Sequence, residues 1–154
     1  MASPRSKILK ALGEHLDSVF GPEGTGDFRR AKYGRWNPAA SDRPNLTVVD
    51  DGQRRDDEEV QEGYGKRRLR AQLILDLEGD VSSPEDLEAL TDLVEQISGE
   101  CCAWRMDGAA GEGEGIEAVE YLDDDPYTAE IEGGAAREVW VINIEIVYFI
   151  EISG

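Results

Sequence analysis

Apolar residues first recur at three- and four-residue spacing between Pro4 and Phe20, a pattern typical of one face of an α-helix. Ser3 stands where a capping hydroxyl is expected, and Pro4 suits the first helical position, where an N–H has no intrahelical partner. Gly21, followed by a proline, predicts the end of the helix. Both boundaries of this helix are therefore predicted from local chemistry.

A second helical pattern begins at Ser83 and Pro84, again a capping hydroxyl followed by proline. Acidic residues follow in the first turn, where the helix dipole favours them. Gly99 occupies a position where a left-handed cap is expected, so the helix is predicted to end there. Its apolar stripe consists of Leu87, Leu90, Val94 and Ile97.

Strict alternation of apolar and polar residues predicts a strand at 67–77, with leucines and Ala71 on one side and mostly polar residues on the other. Pro44 precedes a short strand predicted at 46–49. Further along, the pattern predicts a strand at 116–122, an acidic turn at 123–126 and a short strand at 127–131.

The chain closes on a long strand predicted at 138–152, whose first face carries only Trp, Tyr and isoleucine side chains and must lie in the core. The opposite face is also apolar at four of its seven positions. Covering these four side chains would contribute about 6–12 kcal/mol, and association costs a comparable amount. We therefore expect either loop 21–44 or a neighbouring subunit to cover them. The four residues are Val139, Val141, Val147 and Phe149.

Together these patterns predict an α+β fold with a mostly antiparallel sheet of about four strands and both helices packed on one face. The length of 154 residues suits a single domain, 1–154. Polar and glycine-rich composition predicts long mobile loops at about 21–44, 50–66 and 107–115. The second loop is a candidate partner-contacting segment through Arg54, Arg55, Asp56, Asp57, Glu58 and Glu59.

Charge restricts the partners that this chain can take. Sixteen Lys and Arg against 34 Asp and Glu give a formal net charge of -18, which repels nucleic acid and anionic membranes at long range. The surplus is uneven: residues 1–80 carry 14 basic and 15 acidic side chains, and residues 81–154 carry 2 and 19. Direct DNA binding and membrane association are therefore not expected.

Residues that could carry out catalysis do not occur in a recognisable arrangement. The only histidine, His15, falls inside the first predicted helix, away from any nucleophile in sequence. The glycines at 111–115 alternate with glutamates that would repel a phosphate, and the acids at 123–125 are best interpreted as a solvated turn. Cys101 and Cys102 lack the spaced partners of a zinc site. We expect a protein that is not an enzyme, with no catalytic residue, metal or cofactor.

The N-terminus lacks the apolar region of a secretory signal, and the longest apolar stretch, 139–150, is interrupted by Asn143 and Glu145. It is also far shorter than the roughly 20 residues of a membrane-spanning helix. Adjacent cysteines cannot build a disulfide framework. A soluble protein of a reducing compartment is expected.

The order of elements resembles that of the tail-terminator, or tail-completion, proteins of long-tailed bacteriophages. Four features carry the resemblance: the amphipathic opening helix at 8–20, Pro44 leading into strand 46–49, the alternating strand 69–77 before helix 87–97, and the closing strand that ends at Ile150. The resemblance covers most of the chain and has no short motif. The long loop 21–44 and the acidic insertion 107–115 depart from the pattern, so no contact residue is transferred.

The resemblance implies a structural virion protein assembled in the host cytoplasm and located at the neck-proximal end of the tail. As a ring, most simply a homo-hexamer, it would cap the tail tube, end its polymerisation and join it to the head–tail connector. Its partners would be further copies of itself, the tail tube protein and the connector protein. DNA would pass through the lumen without specific binding.

A head-to-tail ring brings two different surfaces together, which suits a chain with unevenly distributed charge. Two groups of basic residues are candidates to meet acids of an adjacent subunit or partner ring. They are Lys66, Arg67, Arg68 and Arg70, and Arg29, Arg30, Lys32 and Arg35. Two alternatives stay open: another neck or head–tail joining protein, and an acidic inhibitor, either an immunity protein or a DNA mimic, of a basic nuclease.

Overall fold

The computed structural model describes residues 3–37, 43–56, 64–77, 83–105, 115–130 and 136–151. Its elements, in chain order, are α1 (Pro4–Phe20), β1 (Arg30–Tyr33), β2 (Asn45–Arg55), β3 (Tyr64–Asp76), α2 (Pro84–Ala103), β4 (Ile116–Glu130) and β5 (Ala136–Glu151). The strands form one sheet in the order β1-β2-β3-β5-β4, antiparallel throughout except for the parallel pair β1–β2. The predicted α+β class is confirmed, with five strands instead of about four.

Both helices pack on the same face of the sheet, as predicted. The apolar side chains of α1 and α2 join the inward side chains of the strands in one buried cluster. Burial of each large side chain in it contributes about 1.5–3 kcal/mol. The cluster includes Ile8, Leu12, Leu16, Val94, Ile97, Leu46, Val48, Leu69, Leu73, Leu75, Val119, Ile142, Ile144, Ile146 and Tyr148.

The helix N-termini follow the sequence prediction, and one C-terminus does not. The Ser3 hydroxyl accepts a hydrogen bond from the Ser6 N–H, and the Ser83 hydroxyl accepts one from the Asp86 N–H. Helix α2 was expected to end at Gly99 but continues to Ala103. Cys101 in this last turn is completely buried. Its packing outweighs the cost of about 1 kcal/mol for an interior glycine.

The β2–β3 hairpin is longer than predicted, because residues 50–55 and 64–66 of the expected loop 50–66 pair as strands. A register shift lies between Asp50 and Gln53, and Gly52 within it has φ 106°. Only glycine adopts this φ without strain, so it lets the polar half of β2 continue the ladder. Of the predicted loops, 57–63, 38–42 and 106–114 lie outside the described residues.

The turn predicted at 123–126 is wrong, because these residues are part of one continuous strand, β4. Pro126 pairs with Trp140 of β5, and β4 lies at the edge of the sheet. An edge strand tolerates proline, because a residue without an N–H can be placed with its nitrogen toward solvent. The run of acids before it is therefore compatible with a strand whose other side faces solvent.

Segment 21–44 contains strand β1 and lies against the domain through its aromatic residues. Phe28 is buried in the core, and Trp36 donates a hydrogen bond from Nε1 to the Asp76 carboxylate at 3.3 Å. Asp76 points away from the helices, on the second face of β3. Phe28 and Trp36 thus anchor the described part of this segment to opposite faces of the sheet.

Helix α1 closes the outer edge of β1. The Asp17 carboxylate accepts a hydrogen bond from the Ala31 N–H at 2.8 Å. A Cβ placed at Gly13 would stand 2.8 Å from the Tyr33 nitrogen and 3.1 Å from the Lys32 carbonyl carbon. Gly13 therefore allows the helix backbone to approach the strand backbone.

We expect Gly13→Ala to lower the free energy of unfolding by about 1–2 kcal/mol, because the added methyl collides with backbone that cannot rotate away. Gly99→Ala is the matched control, since no heavy atom lies within 4 Å of its Cβ position in helix α2. The control should be about 0.5–1 kcal/mol more stable than wild type. Urea unfolding of the three proteins measures both effects, and a stabilised Gly13→Ala would contradict the close approach.

An ion pair ties the start of α1 to β2. Arg5 donates two hydrogen bonds to the Asp50 carboxylate, each at 2.5 Å, and this guanidinium holds the pKa of the Asp50 carboxyl below its ordinary value of 3.8. A carboxyl whose pKa is lowered by folding stabilises the folded protein at pH values above its ordinary pKa. This contribution is lost as the pH falls through the folded-state pKa.

Arg5→Gln is therefore expected to be about 1 kcal/mol less stable than wild type at neutral pH. The difference between the two proteins should shrink as the pH falls below about 4, where Asp50 becomes protonated in both. Urea unfolding at about pH 7, 5 and 3 tests this. Arg29→Gln, at an exposed position without an ion pair to another described residue, is the control. A constant difference across this range would contradict the linkage.

Candidate interaction surface

The candidate interface valines lie on the sheet face that points away from the helices, here called the outer face. Val139 and Val147 are 4% and 2% exposed within the single chain, whereas Val141 and Phe149 are half-buried. Val147 stands between Arg68 of β3 and Ala118 of β4 in the sheet register. Two of the four apolar side chains are thus already covered by their own chain, and two keep accessible surface for a contact.

A charged network occupies the centre of the outer face. Glu145 is 4% exposed, and its carboxylate accepts a hydrogen bond from Arg68 at 2.9 Å, while Arg70 lies 3.6 Å away. Arg68 also donates to Asp56 at 2.6 Å. The Arg68 guanidinium holds the pKa of the Asp56 carboxyl below its ordinary range. The network therefore links β5 to both strands of the β2–β3 hairpin.

The other two candidate basic residues also have partners within the chain. The Lys66 ammonium lies 3.5 Å from a Glu117 carboxylate oxygen of β4. Arg67 donates to the Lys66 carbonyl and is half-buried on the opposite side of β3. Of the four candidate cations of β3, Lys66 and Arg68 thus already pair with acids of their own subunit, and Arg70 lies close to one while most of its side chain is exposed.

The candidate partner-contacting segment lies at the far end of the β2–β3 hairpin. Arg54 and Arg55 are exposed on β2, and Asp56 follows them with its backbone N–H bonded to the Lys66 carbonyl. Asp57, Glu58 and Glu59 lie outside the described residues. The structure places Arg54 and Arg55 at the end of β2 and Asp56 directly after it.

The two edges of the sheet carry opposite charge, which the sequence analysis did not recognise. Strand β4 carries only acids among its charged residues, and on its side of the sheet the large apolar side chains of Tyr121, Leu122 and Tyr127 are 38–55% exposed. At the other edge, residues 29–35 contain four cations and no acid. The sequence alone shows the cluster of cations at 29–35 and the cluster of acids in β4, but only the strand order places them at opposite edges of the sheet.

His15 lies in a cleft of about 640 Å³ between the C-terminal end of α2 and the middle of α1. Its Nε2 is 2.9 Å from Glu100, and its ring stacks on Trp104 at 6.3 Å between centroids. The neighbouring Cys101 thiol is buried, which raises its pKa to about 12, so it stays protonated at neutral pH. The histidine therefore joins the two helices and has no thiolate beside it.

Among the described residues, no group of three or more His, Cys, Asp or Glu side chains is arranged to hold a metal ion. Within the same part of the chain, neither helix combines the length and the apolar composition needed to cross a membrane. No known family model matches this chain, and a search of curated proteins finds no similar sequence.

Proposed function

We propose that this chain is a structural, non-enzymatic subunit of the tail-terminator kind. In this role a ring of subunits caps the tail tube of a long-tailed bacteriophage, ends its polymerisation and joins it to the head connector. The ring would sit at the neck-proximal end of the tail in the virion. Its partners would be other copies of the chain, the tail tube protein and the connector protein.

The observation that supports the proposal most is the element order of the fold. The opening helix, the antiparallel hairpin, the second helix and the long closing strand occur in the order that the resemblance implies. The β2–β3 hairpin supports it further, because its 11- and 13-residue strands end in the exposed cations Arg54 and Arg55, which are available for contact with a neighbouring ring.

The proposal is tested by the mass of the purified protein over a wide concentration range, followed by negative-stain imaging. Closed rings are the expected result, and adding them to polymerising tail tubes should cap the tubes and limit their length. A monomer that persists at high concentration would contradict the ring. Rings that leave tube length unchanged but bind a connector would favour another neck protein.

The exposed acids of β4 favour one alternative function, the acidic inhibitor of a basic nuclease. This function requires a monomer or dimer that forms a tight complex with one basic partner. Loss of nuclease activity on adding a stoichiometric amount of this chain, without ring formation, would establish it in place of the terminator.

A further inference from the structure

Strand β4 is the edge of the sheet that no other described element closes. Among the described residues, no backbone hydrogen bond joins its outer side to another segment, whereas α1 closes the edge of β1. Tyr127 is 55% exposed and Tyr121 is 43% exposed beside this open edge. Unpaired edges with exposed aromatic side chains are typical contact surfaces.

Few acids on β4 have a cationic partner among the described residues. Glu117 pairs with Lys66, but Glu120 and Asp125 are exposed and form no ion pair with another described residue. Glu120 even stands opposite Glu145 in the sheet register. This edge therefore presents a negative surface that the described part of the chain does not neutralise.

The opposite edge presents the complementary charge. Arg29, Arg30 and Arg35 are exposed, Lys32 is half-buried, and none of the four forms an ion pair with another described residue. This is notable in a chain with 34 acids and 16 bases, since most cations of β3 do have acidic partners. We name residues 29–35 the basic edge and β4 the acidic edge.

We infer that the acidic edge of one copy docks on the basic edge of the next, so that the chain associates with itself head to tail. A two-fold pairing of acidic edges, or of basic edges, would bring like charges together and is disfavoured. Only the heterologous arrangement joins opposite charges, and repeated contacts of this kind either close into a ring or continue as a filament.

Contact would be made through side chains and not through a shared strand ladder. Asp17 already occupies the Ala31 N–H, and Gly13 brings α1 against Tyr33, so the basic edge has little free backbone. Pro126, the acids and the register shifts of β4 also oppose strand addition. Ion pairs around the exposed tyrosines are the remaining mode of contact.

The inference rests on the proposed function in one respect, which is closure of the contacts into a ring. The contact itself rests on the charges of the two edges. The attraction between these opposite charges acts at short range, because the Debye length is about 8 Å at physiological ionic strength. Net repulsion between chains of charge -18 therefore does not prevent a local contact between opposite charges.

Three pairs of charge reversals test the inference. The first variant carries Glu120→Lys with Asp125→Lys, and the second carries Arg30→Glu with Arg35→Glu. The control, Glu88→Lys with Glu95→Lys on the exposed face of α2, changes the net charge as the first variant does. Circular dichroism and thermal unfolding of each variant show whether the fold is retained.

Each edge variant alone should self-associate at least about tenfold more weakly than wild type, because the reversals leave the acidic edge with four acids and two lysines, or the basic edge with two cations and two acids. An equimolar mixture of the two should regain association, since one contact joins the unaltered edge of each variant and the other places the new lysines opposite the new glutamates. The control should associate as wild type does. Light scattering across concentration, at about 0.15 M and about 1 M salt, measures wild type, the two edge variants, their mixture and the control.

Rings that form equally well in every variant would overturn the head-to-tail inference and leave the proposed function standing. Open filaments of wild type that the reversals abolish would support the inference and overturn the ring. A wild type that stays monomeric would overturn both. Binding of a labelled DNA duplex that only the Arg30 and Arg35 reversals remove, with self-association unchanged, would also overturn it by assigning the basic edge to nucleic acid.

Discussion

Ile142→Ala is expected to lower the free energy of unfolding by about 3–4 kcal/mol. Ile142 lies at the middle of β5, the strand between β3 and β4, and none of its surface is exposed. Its register partner on β3 is Leu73, which is also fully buried. Truncation removes three carbons from this layer and leaves a cavity that strands held on both sides cannot close.

Leu87→Ala is the matched control for this truncation. Leu87 also loses three carbons, but it lies in the first turn of α2 with 48% of its surface exposed. Its loss should cost less than about 1 kcal/mol. Urea unfolding compares the free energies of unfolding of the two variants, provided that the slope of this free energy against urea concentration is unchanged. Equal losses would contradict the assignment of the isoleucine face of β5 to the core.

The features that the sequence predicted correctly are those that depend on nearby residues. Ser3 and Ser83 cap helices because a hydroxyl can reach an N–H three positions along, and the inward face of β5 follows from a two-residue period. A helix boundary or a strand face of this kind needs no knowledge of the rest of the fold.

Features that depend on distant residues were missed or misplaced. Strand β1 contributes Ala31 as its only fully buried side chain, so its four residues carry no pattern, and its pairing with β2 is decided by α1. The acids before Pro126 look like a turn until their place at a sheet edge is known. Gly99 looks like a cap until Cys101 is found in the core.

The candidate surface was predicted in part, for a similar reason. The sequence pointed to the second face of the closing strand and to the arginines of β3, and the structure places Arg68 and Arg70 beside this face. Glu145 was treated only as an interruption of an apolar strand. A single acid among isoleucines and valines, on the face that pairs with two arginines, is the signal that would have identified their partner.

Arg68→Ala is expected to lower the free energy of unfolding by about 2–4 kcal/mol, because it leaves the buried Glu145 carboxylate without its direct hydrogen bond. Arg68 also bonds Asp56, so the substitution releases the end of the hairpin as well. Arg70→Ala is the control. Its side chain is 57% exposed and stands 3.6 Å from Glu145, so its loss should cost less than about 1 kcal/mol.

The double variant Arg68→Ala with Glu145→Leu separates the loss of the ion pair from the cost of an uncompensated charge. Replacing the carboxylate by an apolar side chain removes the group that Arg68→Ala leaves without its direct hydrogen bond, so the double variant should be at least about 1 kcal/mol more stable than Arg68→Ala alone. Urea unfolding of Arg68→Ala, Glu145→Leu, the double variant and wild type completes the cycle. A double variant less stable than Arg68→Ala would show that the Glu145 carboxylate is adequately solvated without Arg68. The outer face would then contain no buried charge that needs compensation.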